Sequence, residues 1–277
     1  AVTPPVFTTA KPLPNRICIL WDASTSGTNR DKTCEYQLLD SYLQKIGNCS
    51  VQLVTFRNEV DKSESFIITN GNWKILKTRL DESAYDGGTQ LGALNLKSYP
   101  CDEFLLFSDG ISTFGKSELQ TTTVPIIAIN SSQHAEHSYL QYITRKTGGS
   151  YIDLTTLDFT QAINRIQEST YSFISSDYNP NTISEVYPSI STPINGSILF
   201  CGRLQSDNSD ITLNFGFGKT IKHTEKIKLT NATPEIRSHI LPQLWAQKKI
   251  AELDMRFKTN KTSITELGKQ FSIVTRN

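Results

Sequence analysis

The residues that stand out for chemistry are five oxygen-bearing side chains, four of them placed just after apolar runs. The run Ile17-Cys18-Ile19-Leu20-Trp21 discharges into Asp22-Ala23-Ser24-Thr25-Ser26-Gly27. In an extended segment alternate side chains face the same way, so Asp22, Ser24 and Ser26 present three oxygens toward one point. Two further segments belong at the same edge if the apolar runs are parallel strands. Asp86-Gly87-Gly88-Thr89 supplies a hydroxyl from Thr89, and Ser108-Asp109-Gly110, directly after Phe104-Leu105-Leu106-Phe107, supplies a carboxylate from Asp109. Three hydroxyls and two carboxylates make an all-oxygen set with no soft ligand, which suits a hard divalent cation. Mg²⁺ is the expected ion, with Mn²⁺ or Ca²⁺ as substitutes. So few acids leave such an ion electrophilic and at least one of its positions exchangeable, open to an incoming carboxylate.

These positions need a sheet whose strands end together. From Arg16 to about Ile166, short β-branched runs alternate with helical patterns, as parallel strands joined by crossover helices do. The expected strands are Ile17 to Trp21, Val51 to Phe56, Phe104 to Phe107, Val124 to Ile129 and the shorter Ser150 to Leu154, with Phe66 to Ile68 as an edge strand. Their near-continuous apolarity predicts burial on both faces. Helical spacing of Leu38, Leu39, Tyr42, Leu43 and Ile46 predicts an amphipathic helix stopped by Gly47. Trp73, Leu76 and Leu80 mark a second, Tyr139 to Ile143 a third ending at Gly148-Gly149, and Phe159 to Ile166 a fourth. Ligands of such open sheets bind beyond the carboxyl ends of the strands, where the five oxygens lie.

After about Gln167 the helical period is lost, and Asn, Ser, Thr, Tyr and Pro crowd residues 168–196. A domain boundary is expected there. Beyond it the pattern is antiparallel: Ser197 to Leu204, then Ile211 to Phe215 and Thr220 to Leu229 joined by a turn at Gly216 to Lys219. Pro234 to about Phe257 reads as a helix, Ile264 to Gly268 as a last helical turn and Phe271 to Val274 as a terminal strand. The domain reading is therefore 1–15 as a Pro/Thr-rich linker, 16–168 as the metal-site domain and 169–277 as a β-rich accessory domain with a C-terminal helix. The fold class is α/β: a doubly wound, mostly parallel sheet flanked by helices, with a smaller antiparallel region.

The five positions resemble, in order, the metal-ion-dependent adhesion site of von Willebrand factor A domains. The matching elements are Asp22-x-Ser24-x-Ser26, Thr89 in Gly-Gly-Thr and Asp109 in Ser-Asp-Gly, and the likeness covers residues 16–168. It implies a metal held directly by Ser24, Ser26 and Thr89, with Asp22 and Asp109 acting directly or through water. It also implies a protein partner that offers an Asp or Glu carboxylate, chosen by flanking loops such as Thr28 to Lys32 and Ile111 to Lys116. Ser184-Glu185-Val186-Tyr187-Pro188, Gly202-Arg203, Gln243-Leu244-Trp245-Ala246 and Ile264 to Thr275 are similar to the region after the A domain in inter-α-trypsin-inhibitor heavy-chain-like proteins. That second resemblance implies a fragment of a longer chain carrying an N-terminal β domain, and it leans toward an exported, periplasmic or envelope setting.

Composition excludes other classes. The 277 residues carry 28 Lys+Arg against 27 Asp+Glu, a formal charge of +1, which gives no electrostatic footprint for a nucleic acid. No apolar run approaches the roughly 20 residues of a membrane span. The five cysteines, at 18, 34, 49, 101 and 201, are widely spaced without a C-x-x-C pair, so buried or free thiols are expected rather than a zinc site or a disulfide scaffold. Sequons at Asn48, Asn130, Asn195, Asn231 and Asn260 carry no weight in so polar a chain.

Phe217-Gly218-Lys219-Thr220 lacks the first glycine of a phosphate-binding loop, since position 213 is Leu213, and reads as a hairpin turn. His134-Ala135-Glu136-His137 has the wrong order for a zinc helix. A phosphohydrolase of the Asp-nucleophile kind needs a second acid where this chain has Ser24. The expectation is thus a binding module rather than an enzyme. The alternatives are a structural or assembly module whose metal only stabilises it, and, behind that, a metal-assisted phosphohydrolase.

Overall fold

The computed structural model describes every residue except 6, 8, 195, 207, 231–239 and 277. The chain divides into two compact units, Thr9–Ser169 and Ala1–Thr8 with Thr170–Asn277.

In the Thr9–Ser169 unit, β1 (Arg16–Asp22), β2 (Cys49–Phe56), β3 (Val60–Ile68), β4 (Glu103–Phe107), β5 (Ile126–Asn130) and β6 (Tyr151–Asp153) form one sheet in the order β3-β2-β1-β4-β5-β6. All neighbours are parallel except β3, which runs antiparallel to β2 as a nine-residue edge strand, longer than its apolar end at Phe66 to Ile68 suggests. Alternation sorts the side chains by face. Ile17, Ile19, Trp21, Val51, Leu53, Leu105 and Phe107 pack with Leu38, Leu39, Tyr42 and Leu43 of α1 (Lys32–Ile46), Leu76 and Leu80 of α2 (Lys74–Asp81), and Ala162 and Ile166 of α4 (Phe159–Gln167). Cys18, Leu20, Val54, Phe104 and Leu106 pack on the opposite face with Leu140 and Ile143 of α3 (His137–Thr147) and with Leu91, Leu94 and Leu96. Both faces are therefore covered, and the central strands β4 and β5 are buried throughout.

Local chemistry fixes where the helices begin and end. The Asp31 carboxylate accepts from the Cys34 N–H at the start of α1, and Gly47 stops that helix at φ 75°. At α4, Asp158 and Gln161 exchange bonds as a capping box. Strand order reverses direction on either side of the β1/β4 pair, which makes the carboxyl ends of these two strands the switch point where open α/β sheets place a ligand crevice.

The segment expected as linker holds structural contacts. Val2 pairs with Ile198 and Ala10 with Glu168. Lys11 forms an ion pair with the buried Glu103 and donates to Tyr42 Oη at 3.0 Å and to the Ile166 carbonyl at 3.2 Å.

The other unit is all antiparallel in its strands. β7 (Tyr171–Tyr178), β8 (Ile183–Tyr187), β9 (Thr192–Pro193), β10 (Cys201–Leu204), β11 (Asn208–Phe217) and β12 (Thr220–Thr230) form two sheets, β12-β11-β7-β9 and β10-β8. β7, β8 and β9 thus occupy the stretch whose polar composition suggested only a boundary, and the strand expected at Ser197 to Leu204 is confined to β10. The turn between β11 and β12 falls at Gly218-Lys219, so Gly-Lys-Thr is part of a hairpin.

Two helices follow, α5 (Ile240–Asp254) and α6 (Phe257–Phe271). The terminal strand expected at Phe271 to Val274 is absent: Phe271 is the last helical residue, and Ser272 closes the helix in the left-handed region at φ 54°. The expected helical stretch 234–239 and the sequons at Asn195 and Asn231 lie outside the described residues. All five cysteines are free. Among the described residues no helix is long and apolar enough to cross a membrane.

Candidate metal centre

The structure brings Asp22, Ser24, Ser26, Thr89 and Asp109 together at the β1/β4 crevice. Asp22 ends β1, and the chain stays extended for two more residues because Ala23 N–H donates to the Phe56 carbonyl at 2.9 Å and Ser24 has φ −66°, ψ 167°. Ser24 N–H closes back on Asp22 Oδ1 at 3.1 Å. A 3-10 turn over Thr25–Asn29 then returns Ser26 beside Ser24. That turn requires glycine at its centre: a Cβ on Gly27 would sit 2.7 Å from the Tyr85 ring and 3.0 Å from the Asp22 carbonyl.

The loop bearing Thr89 is laced to this segment by its backbone. Asp86 N–H donates to the Ala23 carbonyl at 3.1 Å, and Thr25 N–H to the Gly87 carbonyl at 3.0 Å. The Thr89 hydroxyl consequently reaches Ser24 Oγ at 2.8 Å, and Ser24 Oγ lies 3.2 Å from Ser26 Oγ. Thr89 is also held from the other side. Its carbonyl accepts from the Ser112 hydroxyl and from the N–H groups of Thr113 and Phe114, each at 3.0 Å, while its own N–H donates to Thr113 Oγ1 at 3.1 Å. The loop after Asp109 and the loop of Thr89 are therefore one hydrogen-bonded piece.

Asp109 follows β4 by two residues. Ile111 N–H donates to its Oδ1 at 2.8 Å, and the Ser26 hydroxyl bonds its carboxylate. Ser108, between β4 and Asp109, donates to Asp22 Oδ2 at 2.6 Å and so ties the two acid-bearing strand ends together. Asp22, Ser24 and Thr89 are each 1% exposed and Asp109 3%, while Ser26 is half-buried and marks the open side. Burial pushes the Asp109 carboxyl above the ordinary carboxylate range. The nearby Asp22 charge adds to the rise, and Ser26, the Ile111 N–H and Arg30 partly offset it.

Three residues that sequence reasoning passed over complete the surroundings: Arg30, Glu35 and Ser131. The segment Thr28 to Lys32 was expected to form a rim loop, yet Arg30 turns inward and is 5% exposed. Its guanidinium donates to the Phe107 carbonyl, lies 4.5 Å from the Trp21 ring centre and approaches Glu35 Oε1 at 3.4 Å. Glu35, fully buried on α1, also accepts from the Ser131 hydroxyl at 2.7 Å. A loop Arg five residues before a helical Glu carries no motif, so only the folded arrangement reveals the pair.

A hard cation fits this donor set. Asp22, Asp109 and Glu35 bring three carboxylates into one buried neighbourhood, and Arg30 supplies the cation that acts on all of them. Fully ionised, the set carries a formal charge of −2, which a divalent ion neutralises. Among the described residues no group of three or more His, Cys, Asp and Glu side chains is arranged for a metal, so any site here depends on its hydroxyls. His137 opens α3 with Nδ1 2.7 Å from Tyr151 Oη and 3.4 Å from Asp153 Oδ2, in a contact with β6 residues.

No family model matches the chain. No curated protein matches it either. Solved structures with some likeness include a von Willebrand factor type A protein from Catenulispora acidiphila, at 11% identity and TM-score 0.42, covering 92% of this chain and 82% of that one. An aerotolerance-related membrane protein from Bacteroides fragilis, carrying multiple mutations to serine, is similar at 14% identity and TM-score 0.39, over 55% of this chain and 98% of that one. BatB from Bacteroides thetaiotaomicron is similar at 16% identity and TM-score 0.38, over 53% and 93%.

Proposed function

We propose that the Thr9–Ser169 unit is a divalent-metal-dependent protein-binding module rather than an enzyme. One observation carries the reading: three hydroxyls, Ser24, Ser26 and Thr89, converge with two buried carboxylates, Asp22 and Asp109, at the mouth of a strand-order reversal. Ser24, Ser26 and Thr89 would hold Mg²⁺, and Asp22 and Asp109 would provide the compensating charge, directly or through water. The bound ion would supply an electrophilic centre for an Asp or Glu carboxylate of a partner protein. Ser108 keeps the two acids at fixed spacing, and the double tether of Thr89 keeps its hydroxyl aimed at Ser24, so the donor set is ordered before any partner arrives.

Isothermal titration with Mg²⁺ or Mn²⁺ tests the reading. Binding is expected in the wild-type chain and is expected to vanish when Asp22→Ala and Ser24→Ala are combined. A chain that takes up neither ion refutes it. The second reading, a structural or assembly module, draws on the way the three hydroxyls already satisfy one another at 2.8 and 3.2 Å. It predicts a melting temperature raised by Mg²⁺ with no metal-dependent retention of any acidic peptide.

A further inference from the structure

Arg30 is a buried cation that acts on Asp22, Asp109 and Glu35 together, and the reading of the metal centre assigns it no task. Its position is over-determined. The guanidinium donates to the carbonyl of Phe107, the last residue of β4 before Ser108-Asp109, and stacks against Trp21, the residue before Asp22. It thus touches the backbone of one acid-bearing strand end and the side chain next to the other. Nε and one terminal nitrogen have no hydrogen-bond partner, and Nε stands 3.4 Å from Glu35. A fork held this way is a poor choice for packing alone, because an apolar side chain of similar length fills the same space without burying a charge.

Burial disfavours the charged guanidinium, yet Glu35, Asp22, Tyr85 and Asp109 together more than offset it and hold the proton on. The anions facing it come from β1 (Asp22), the β4 end (Asp109) and α1 (Glu35). A divalent ion at the hydroxyl cluster draws on the same two aspartates. The two cations therefore share one pool of negative charge and repel each other across a water-poor interior.

We propose that Arg30 is a resident counter-cation for the Asp22/Asp109 pair: it keeps the donor set assembled without metal, and by competing for the same charge it weakens the site's hold on a divalent ion. The metal half of this inference rests on the function proposed above. The counter-cation half does not.

The role separates from a merely structural one by the sign of an effect. Arg30→Met removes the charge and keeps the length of the stem, and Arg30→Lys keeps the charge and loses the planar fork. With Mg²⁺ alone as probe in isothermal titration, Arg30→Met is expected to bind about tenfold more tightly than wild type and Arg30→Lys within about threefold of it. A structural prop predicts the opposite, weaker binding in both. Folded Arg30→Met protein that binds Mg²⁺ as wild type does, or more weakly, overturns the proposal. If Arg30→Met does not fold, Arg30→Lys decides: affinity within threefold of wild type supports the role of the charge, and a tenfold loss overturns it.

A second measurement needs no metal. In EDTA, Arg30→Lys is compared with Arg30→Met, each in wild type and in the Asp22→Asn/Asp109→Asn background, by urea unfolding. The charge-removing step from Lys to Met is expected to cost the folding equilibrium at least tenfold less once the two carboxylates are gone. Equal cost in both backgrounds overturns the proposal. If wild type and both Arg30 variants all fail to bind Mg²⁺, the metal reading falls, and this comparison still decides whether Arg30 serves the two aspartates.

Discussion

Lys11→Met is the substitution whose effect the structure specifies most sharply outside the candidate centre. Glu103 is 2% exposed at the start of β4, beneath the sheet's amino-terminal end, and its carboxylate has two partners, the Lys11 ammonium and the Tyr42 hydroxyl at 2.7 Å. Lys11 in turn lies against the Tyr42 ring, 5.1 Å from its centre, and donates to the Ile166 carbonyl. Methionine retains the apolar stem and removes only the charge. The carboxylate is then left buried with one neutral donor, and breaking a buried pair from one side costs about 3–5 kcal/mol. For a unit of this size that lowers the melting temperature by roughly 6–20 °C. Lys77→Met serves as control, because Lys77 and Asp81 form an exposed ion pair one helical turn apart, worth at most about 0.5 kcal/mol. Glu103→Gln should rescue part of the loss, since the amide carbonyl still accepts from Tyr42 and no bare charge remains. Urea unfolding of the four proteins measures each step. If Lys11→Met costs no more than Lys77→Met, the ion pair is hydrated, the segment before Arg16 is a tether as its composition suggests, and the burial argument fails.

Other consequences can be checked with the same tools. Because the folded-state pKa of Asp109 is raised, its contribution to metal-free stability is fully present below its unfolded value near 3.8 and is lost as pH rises through the raised folded value. The stability difference between wild type and Asp109→Asn in EDTA should therefore shift in favour of Asn as pH climbs from about 4 toward neutrality, and a pH-independent difference in urea titrations contradicts this. Gly27→Ala drives a methyl into the Tyr85 ring and the Asp22 carbonyl, so a loss of about 1–3 kcal/mol together with weaker Mn²⁺ binding is expected; unchanged binding by titration would show that the turn is not what sets the Ser24 to Ser26 spacing. Trp245→Ala removes a buried ring on α5 that stands between Arg203, at 4.1 Å, and Lys249, at 5.0 Å, and whose Nε1–H donates to the Glu185 carbonyl. A cost of about 3–5 kcal/mol to the unit of Thr170–Asn277 is expected in thermal melts, and a cost below about 1 kcal/mol would show that α5 is only loosely docked.

What was legible in the sequence followed from periodicity and from strand ends. Continuous apolar runs such as Phe104 to Phe107 marked buried parallel strands, and oxygen-bearing residues immediately after them had to converge because parallel strands share one carboxyl edge. The second unit was harder to read for a physical reason. β7 buries Tyr171, Ser172 and Phe173 and then runs out as Ser175-Ser176-Asp177, too short an alternation to betray it, while its partner β11 supplies Ile211, Leu213, Phe215 and Phe217 to the core. α6 was shortened to one turn because its buried residues, Ile264, Leu267 and Gly268, cluster at one end of a largely Lys, Thr and Asn helix. The sequence reading named Thr28 to Lys32 only as a loop flanking the site, and an Arg in a Thr-Asn-Arg-Asp loop gives no local sign of burial. The Phe107 carbonyl, the Trp21 face and the Glu35 carboxylate, brought together only by the fold, pull it in.

The charge balance joins these observations. Across the whole chain cations and anions nearly cancel, so no face of it needs to be strongly charged to attract a partner. At the β1/β4 crevice the balance is instead broken locally, with three buried carboxylates and one guanidinium. Burying an uncompensated charge is costly, and a chain that folds around such a set must offset it by protonation, by hydrogen bonds or by a bound cation. The raised proton affinity of Asp109 and Glu35 represents the first route, and the bonds from Ser26, Ser108 and Ser131 the second. Ser26 serves Asp109 by the second route, but neither route gives Ser24 and Thr89, which bond each other, a reason to face the edge beside Ser26. The hard cation proposed above would supply one, and it would also account for neutral donors there: they add ligands without adding to a charge the interior already struggles to hold.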